Sequence, residues 1–330
     1  MKKLNFESTT LLITLKDNEI YSNKLVNYLN FQNFNIQIFI ADGSAKSQEE
    51  IFKKLRHKYT YYYFGEDINF EKYFLKIKLS LEKIQTEYIF FCDQDDYINF
   101  KCLKKKEDIL ISNKKISATI GNIFNFTENG DENYIVGKMY NFKIRNYDNA
   151  IIRLLRNKLF KGYYCLHRKN NLIKSFDLII KHKIKDLRTA EFVLNTYLLM
   201  QGNIFFIKDE ISLLRWAGNK YKVHPIKYSG RSHIYWFLKN ISSNNKLLDE
   251  LIIHKMRLFS KSFSTKILLF IFHIIPIELR KFYFIIRKFL LRLFKIFVKV
   301  SYKKNLSFPS GKPEQIFINF SKKADTQVND

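Results

Sequence analysis

Along the first hundred positions, short solid apolar runs alternate with segments of helical period. Positions 9–15 read as a strand and 16–18 as a polar turn. Over 19–32, Leu25, Tyr28, Leu29 and Gln32 fall at helical spacing. A second strand at 36–40 ends in Ala41-Asp42-Gly43-Ser44. Ser47-Gln48-Glu49-Glu50 fits a capping box opening a helix to about position 57. A third strand (59–64) and a helix (70–85) lead to the buried-type run Tyr88-Ile89-Phe90-Phe91-Cys92. This alternation predicts a right-handed parallel sheet of the doubly wound kind. Beyond it we expect a helix at 103–111, a strand at 116–126, a loop around Asn129-Gly130, and a helix at 150–159. A strand-like run at 160–168, a helix at 189–202 and closing strands at 202–215 complete the pattern.

The run at 88–92 ends in Asp93-Gln94-Asp95-Asp96. Three carboxylates cannot all sit unpaired in a core. Asp93 and Asp95 lie two apart, so on a continuing strand they share a face and can grip one hard divalent cation. Ligands of open α/β sheets also gather at the C-terminal ends of parallel strands. The same residues equally describe a strand that ends in a solvated acidic turn.

The segment 87–96 resembles the D-x-D region of family 2-type GT-A glycosyltransferases. Further landmarks follow in the family's order. Asp42-Gly43-Ser44 resembles its "DDGS", with Ala41 in place of the first Asp. Glu191 to Gly202 resembles its "ED-x-x-L-x-x-R-L-x-x-x-G" helix, with Leu194, Leu198 and Gly202 in place. There Ala190 replaces an acid and Tyr197 the Arg. Arg215-Trp216-Ala217-Gly218-Asn219 is similar to "yR-x-H-x-x-N", with Ala217 where the His stands; His224 is a weak substitute. The resemblance implies an α/β, GT-A (Rossmann-like) fold with a mostly parallel sheet and helices on both faces. It implies that Asp42 holds the base of a nucleotide-sugar donor, Asp93 the ribose, and Asp93 with Asp95 a Mg²⁺ or Mn²⁺ on the diphosphate. Arg215, whose fork suits phosphate oxygens, would meet the diphosphate. Lys78, where the family often has Asn, joins the donor-site candidates. Glu191, in the first turn of its helix, would be held as the anion and deprotonate the acceptor hydroxyl, with inversion. Asp186 is the substitute base, and a helix-capping role is the plain alternative for Glu191. His167 reads as structural.

Charge adds a second theme. Lys and Arg total 57 against 31 acids, a net charge of +26. That excess favours an anionic partner: nucleic acid, acidic lipid or a phosphorylated substrate. Between 251 and 304 stand thirteen Lys/Arg and one acid, Glu278. On a helical wheel Arg280, Lys281, Arg287, Lys288, Arg292, Lys295 and Lys299 fall within roughly 140°, with a Phe/Ile/Leu face filling the remainder and Phe284, Leu291 and Val298 intruding on the basic arc. That is the pattern of an interfacial anchor on an anionic membrane. The same pattern also suits a helix packed on the catalytic domain with a solvated rim. No nucleic-acid motif accompanies the charge, so no nucleic-acid partner is expected. Cys92, Cys102 and Cys165 have no metal or disulfide spacing, and no apolar leader follows Met1.

We therefore expect a transferase domain at 1–235, divided into a nucleotide-binding half (1–115) and an acceptor half (116–235). A basic amphipathic C-terminal helical extension follows at 236–305, then a polar tail at 306–330. The expected setting is cytoplasmic, peripheral to the inner face of the cell membrane. The acceptor would be a lipid-linked or cell-surface glycan. Two other readings remain open: a catalytically degenerate GT-A-like partner subunit, and a basic nucleic-acid-binding protein.

Overall fold

The computed structural model describes residues 3–128, 135–140, 144–148, 150, 153, 157, 160–216 and 306–307. In chain order the first half comprises β1 (Leu4–Leu15), α1 (Glu19–Asn30), β2 (Phe34–Asp42), α2 (Glu49–Phe52), β3 (Tyr59–Tyr63), α3 (Phe70–Lys83) and β4 (Tyr88–Asp93). Then follow β5 (Asp96–Ile98), α4 (Phe100–Ser112), β6 (Ile116–Glu128), β7 (Ile135–Tyr140), a 3₁₀ turn (Gly162–Tyr164) and β8 (Leu166–Arg168). The last elements are α5 (Lys169–Lys181), α6 (Leu187–Gln201), β9 (Asn203–Trp216) and β10 (Leu306–Ser307).

β4 is buried from Tyr88 to Cys92 because it has a neighbour on each edge, β1 in parallel and β8 antiparallel. A strand enclosed in this way reads as a continuous apolar run without alternation. The sheet order is β10-β7-β6-β8-β4-β1-β2-β3, with β9 beside β6 and β5. β3, β2, β1 and β4 form the expected parallel half. Short β8 joins it to β6, which pairs in parallel with β9. α5 packs between α3 and α6, while α4 lies against β1, β6 and β9. Tyr28 of α1 meets Tyr97 edge-on and donates its OH to the carbonyl of Ile98 at 2.5 Å. Phe100 of α4 stacks on Phe34 at 4.1 Å.

Three expectations change. The capping box at Ser47 does not form: Gln48 stands at the cap, and the helix it opens is only Glu49–Phe52. Gln48 is drawn instead into the hydrogen bonds around Asp42. β4 stops at Asp93, and Gln94-Asp95 is a turn. A helix absent from the expected pattern, α5, buries Leu172, Phe176 and Ile179 at helical spacing. Arg168 fixes its start: the guanidinium pairs with Glu87 at 3.0 Å and donates to the carbonyls of Ile116 and Leu110.

By internal packing the chain forms two units. One is Met1–Ile144 with Phe160–Pro225 and Asn305–Asp330; the other is Arg145–Leu159 with Ile226–Lys304. In the second unit, Asn157 accepts from the Arg145 N–H at 2.7 Å and donates to the Arg145 carbonyl at 2.8 Å. Most of the helix expected at 150–159, the loop around Asn129-Gly130 and the whole basic amphipathic segment lie outside the described residues.

Gly43 follows Asp42 over a buried ion pair, Lys76 Nζ to Asp67 Oδ2 at 2.5 Å. A methyl group on Gly43 would stand 2.6 Å from Lys76 Nζ and nearer still to the Asp67 carboxylate. Neither partner can leave without stranding a charge in the interior. Gly43→Ala is therefore expected to cost about 2–4 kcal/mol in urea denaturation. Gly65 has φ +76 and open space around it, so Gly65→Ala should cost only about 1 kcal/mol, from backbone strain. Equal costs at the two positions would rule out the buried pair as the constraint.

Candidate active site

The C-terminal ends of β1, β2 and β4 converge. At β4, one carboxylate oxygen from each of Asp93, Asp95 and Asp96 lies within 4.8 Å of the others. The route to this cluster differs from the expected shared strand face. The chain turns at Gln94-Asp95, and Asp96 opens β5, which runs antiparallel to β9 with Asp96 opposite Arg215. Asp93 Oδ1 accepts from the Thr14 hydroxyl at 2.6 Å, and Gln94 ties the turn to β1 by accepting from the Lys16 N–H at 3.0 Å. Asp96 is almost wholly enclosed, whereas Asp93 and Asp95 are half-buried. The cluster is made of hard oxygen donors, one of them a buried carboxylate oxygen of Asp96 without a hydrogen-bond partner. This donor set fits Mg²⁺ or Mn²⁺.

Asp42 arrives at the neighbouring strand end but is fully enclosed. Oδ1 accepts from the Ser44 N–H at 2.9 Å; Oδ2 accepts from the Gln48 N–H at 2.9 Å and from the Tyr61 hydroxyl. With both oxygens engaged, this carboxylate organises the 43–48 turn. Burial, and then the bond to Asp42, pushes the Tyr61 phenol upward and keeps it a donor. Lys78 points elsewhere too, pairing with Asp177 at 3.0 Å and Glu82 at 3.3 Å. The lysine near the strand ends is Lys76, which donates to the Leu15 carbonyl at 3.0 Å as well as to Asp67. Its signal in the sequence is a charged residue three after Tyr73 and four before Ser80, on the buried stripe of α3.

Arg215 lies beside the acidic turn and donates its Nε–H to the Tyr164 hydroxyl at 2.6 Å. Tyr163, its chain neighbour, donates to the Tyr73 hydroxyl at 3.0 Å and packs on Phe91 with ring centroids 4.8 Å apart. The same short segment reaches α6, where Asn195 donates to the Phe160 carbonyl at 2.8 Å and Lys161 pairs with Glu191 at 3.5 Å. Residues 160–165 thus connect Glu191 to Arg215 through direct contacts. Glu191 keeps a side-chain exposure of 18%. It stands in the second turn, not the first, because Asp186 caps the helix by accepting from the Thr189 N–H at 2.8 Å. The counter-charge for Glu191 is therefore Lys161 and not the helix terminus, and Asp186 is occupied as a cap. His167 is enclosed, edge-on to Phe91, and burial pushes its imidazole down to about 3, so it is neutral at working pH. Cys92, Cys102 and Cys165 are buried and unpaired. Ala217 and His224 lie outside the described residues.

A Rossmann-like parallel half, an acidic turn at the end of β4 and a mixed half completed by β6 and β9 make a mixed α/β fold of the kind the resemblance implies. No family model matches the chain, and no curated protein sequence does. Among solved structures it is similar to S. aureus TarS at 14% identity and a TM-score of 0.43, covering 78% of this chain and 44% of TarS. The chain thus spans less than half the length of that protein. A TarS 1–349 structure in complex with UDP matches at 15% identity and a TM-score of 0.45, over 75% of this chain and 70% of that one. The complex of TarS 1–349 with UDP-GlcNAc matches at 15% identity and a TM-score of 0.40, over 75% and 71%.

Burial, and next the Asp93 charge, pushes the Asp95 carboxyl up to about 6, with Arg215 pulling the other way. For an acid raised in the folded state, ionisation favours the unfolded chain. Its cost is present at pH 7 and disappears as pH falls from about 6 through the ordinary carboxylate range. In metal-free protein, Asp95→Asn is expected to be more stable than wild type at pH 7.5, by about 1–3 kcal/mol. The two should converge near pH 4. Urea midpoints measured across that range check this, and a pH-independent difference would contradict it.

Proposed function

We propose that this chain is a metal-dependent glycosyltransferase. It moves a sugar from a nucleotide-sugar donor to a hydroxyl of a lipid-linked or cell-surface glycan, with inversion. The observation that carries this reading is the carboxylate cluster of Asp93, Asp95 and Asp96 at the C-terminal end of β4, joined through residues 160–165 to Glu191. Asp93 and Asp95 would hold a Mg²⁺ or Mn²⁺; such a cation, when bound, offsets the charge developing on a leaving diphosphate. Arg215, steadied by Tyr164, presents a guanidinium that suits phosphate oxygens. Asp42 shapes the turn beside the donor and is not itself the base contact. Glu191, partly exposed and paired with Lys161, takes the proton of the acceptor hydroxyl.

No helix among the described residues is long and apolar enough to cross a membrane. We assign residues 236–305 to attachment at an anionic membrane face, which suits a lipid-linked acceptor; the support is the basic amphipathic pattern of 278–299.

A thermal-shift screen of nucleotide sugars with and without Mn²⁺ tests the donor site. One donor class is expected to raise Tm only when metal is present. Asp95→Ala should abolish that shift. Glu191→Gln should keep it while lowering transfer by about 100-fold or more. A screen in which no nucleotide sugar stabilises the chain, with or without metal, would end the transferase reading.

A further inference from the structure

We propose that Asp96 is a third protein ligand of the divalent cation, so that the cation is held from β4 and β5 together and not by Asp93 and Asp95 alone. This deepens, and rests on, the reading of the acidic turn as the donor site. Asp96 is 1% exposed, and its Oδ1 is buried without a hydrogen-bond partner. Its Oδ2 receives only a long bond, 3.4 Å, from the Asp93 N–H. A carboxylate enclosed in that way is costly unless a positive group meets it.

Arg215 is the obvious counter-charge, since it pairs with Asp96 across the β5–β9 ladder. Yet its Nε–H is directed to the Tyr164 hydroxyl at 2.6 Å, and one guanidinium faces three carboxylates. A compact cation of higher charge would meet the remaining deficit, in competition with a proton on Asp96. Ligand oxygens from the three residues lie within 4.8 Å of one another. Mg²⁺–oxygen bonds of about 2.0–2.1 Å place two ligand oxygens at most about 4.2 Å apart, so one ion reaches all three once the widest pair closes by several tenths of an ångström. Thr14 occupies Asp93 Oδ1, which leaves the other Asp93 oxygen for the ion.

The consequence is structural as well as chemical. Asp96, Tyr97 and Ile98 are the whole of β5, held against Arg215, Leu214 and Leu213 of β9. A cation on Asp96 would brace this three-residue ladder and thereby the backbone that carries Arg215.

The test uses the full chain and Mn²⁺ alone, following free Mn²⁺ by EPR. Asp96→Asn keeps the shape and a hydrogen-bonding group but removes the charge. It is expected to weaken Mn²⁺ binding at least 10-fold, as Asp95→Asn does, with the urea midpoint in EDTA not lowered. Wild-type affinity in Asp96→Asn alongside loss in Asp95→Asn would overturn the proposal and leave the donor-site reading standing. Absence of Mn²⁺ binding in wild type would overturn both the proposal and the metal dependence. Should Asp96→Asn fail to fold, hydrogen exchange on wild type decides. Mn²⁺ should slow the amides at 96–98 and 213–215 at least 10-fold, and unchanged exchange there would refute the third ligand.

Discussion

Mutual repulsion among three carboxylates at the end of β4 is the constraint to which the surrounding structure responds. Two unit charges under 5 Å apart repel by about 3 kcal/mol at an effective dielectric of about 20. Three such pairs exceed what one guanidinium can offset, and burial together with the Asp93 and Asp95 charges pushes the Asp96 carboxyl well above the ordinary carboxylate range. The chain nevertheless holds the carboxylates together from both sides. The β1–β4 register places Thr14 opposite Asp93, and the β5–β9 register places Arg215 opposite Asp96. A proton on the most buried member or a cation held among the three would each relieve that repulsion.

The scaffold bears this strain because the polar groups around it are satisfied. Asp42 ends β2 with three donors on its two oxygens, and Lys76 joins the end of β1 to Asp67. These buried contacts fix the strand ends from below the acidic turn. Their worth lies in position more than in net stability. A buried pair gains little over an apolar substitute, but losing one partner strands a charge. Gly43 belongs to the same device, since only a residue without Cβ clears the Lys76–Asp67 pair.

Much of this was legible in the chain because the informative signals are local. The apolar runs of β1, β2 and β4 need no knowledge of their neighbours. The acidic residues that interrupt β4 mark its end. What was hidden depends on distant partners. Whether 93–96 continues as strand or turns is decided by β9, more than a hundred residues away. Glu191 lies a turn deeper in α6 than its motif suggests, because Asp186 supplies a cap that starts the helix earlier. Lys76 and Lys78 are indistinguishable by composition; only the presence of Asp67 on one side and Asp177 on the other separates their roles. The α5 stripe of Leu172, Phe176 and Ile179 is a local signal too, but it directly follows the strand-like run at 160–168 with no Gly or Pro between them to mark a boundary.

The two halves of the sheet also differ in how their chemistry is placed. In the parallel half, site residues sit at strand ends, so the sheet itself positions them. In the other half, position comes from a short connection: residues 160–165 contact Glu191 through Lys161, Arg215 through Tyr164 and Tyr73 through Tyr163. A displacement of that connection moves all three contacts together. The acidic-turn side and Glu191 are therefore coupled mechanically, through one segment anchored by Asn195 on α6 and by the Tyr163–Phe91 packing on β4. A strand-end site tolerates change in its loops, whereas this segment has little freedom. Its aromatic rings fill the interior, and Gly162 lies too close to Asn195 to carry a side chain.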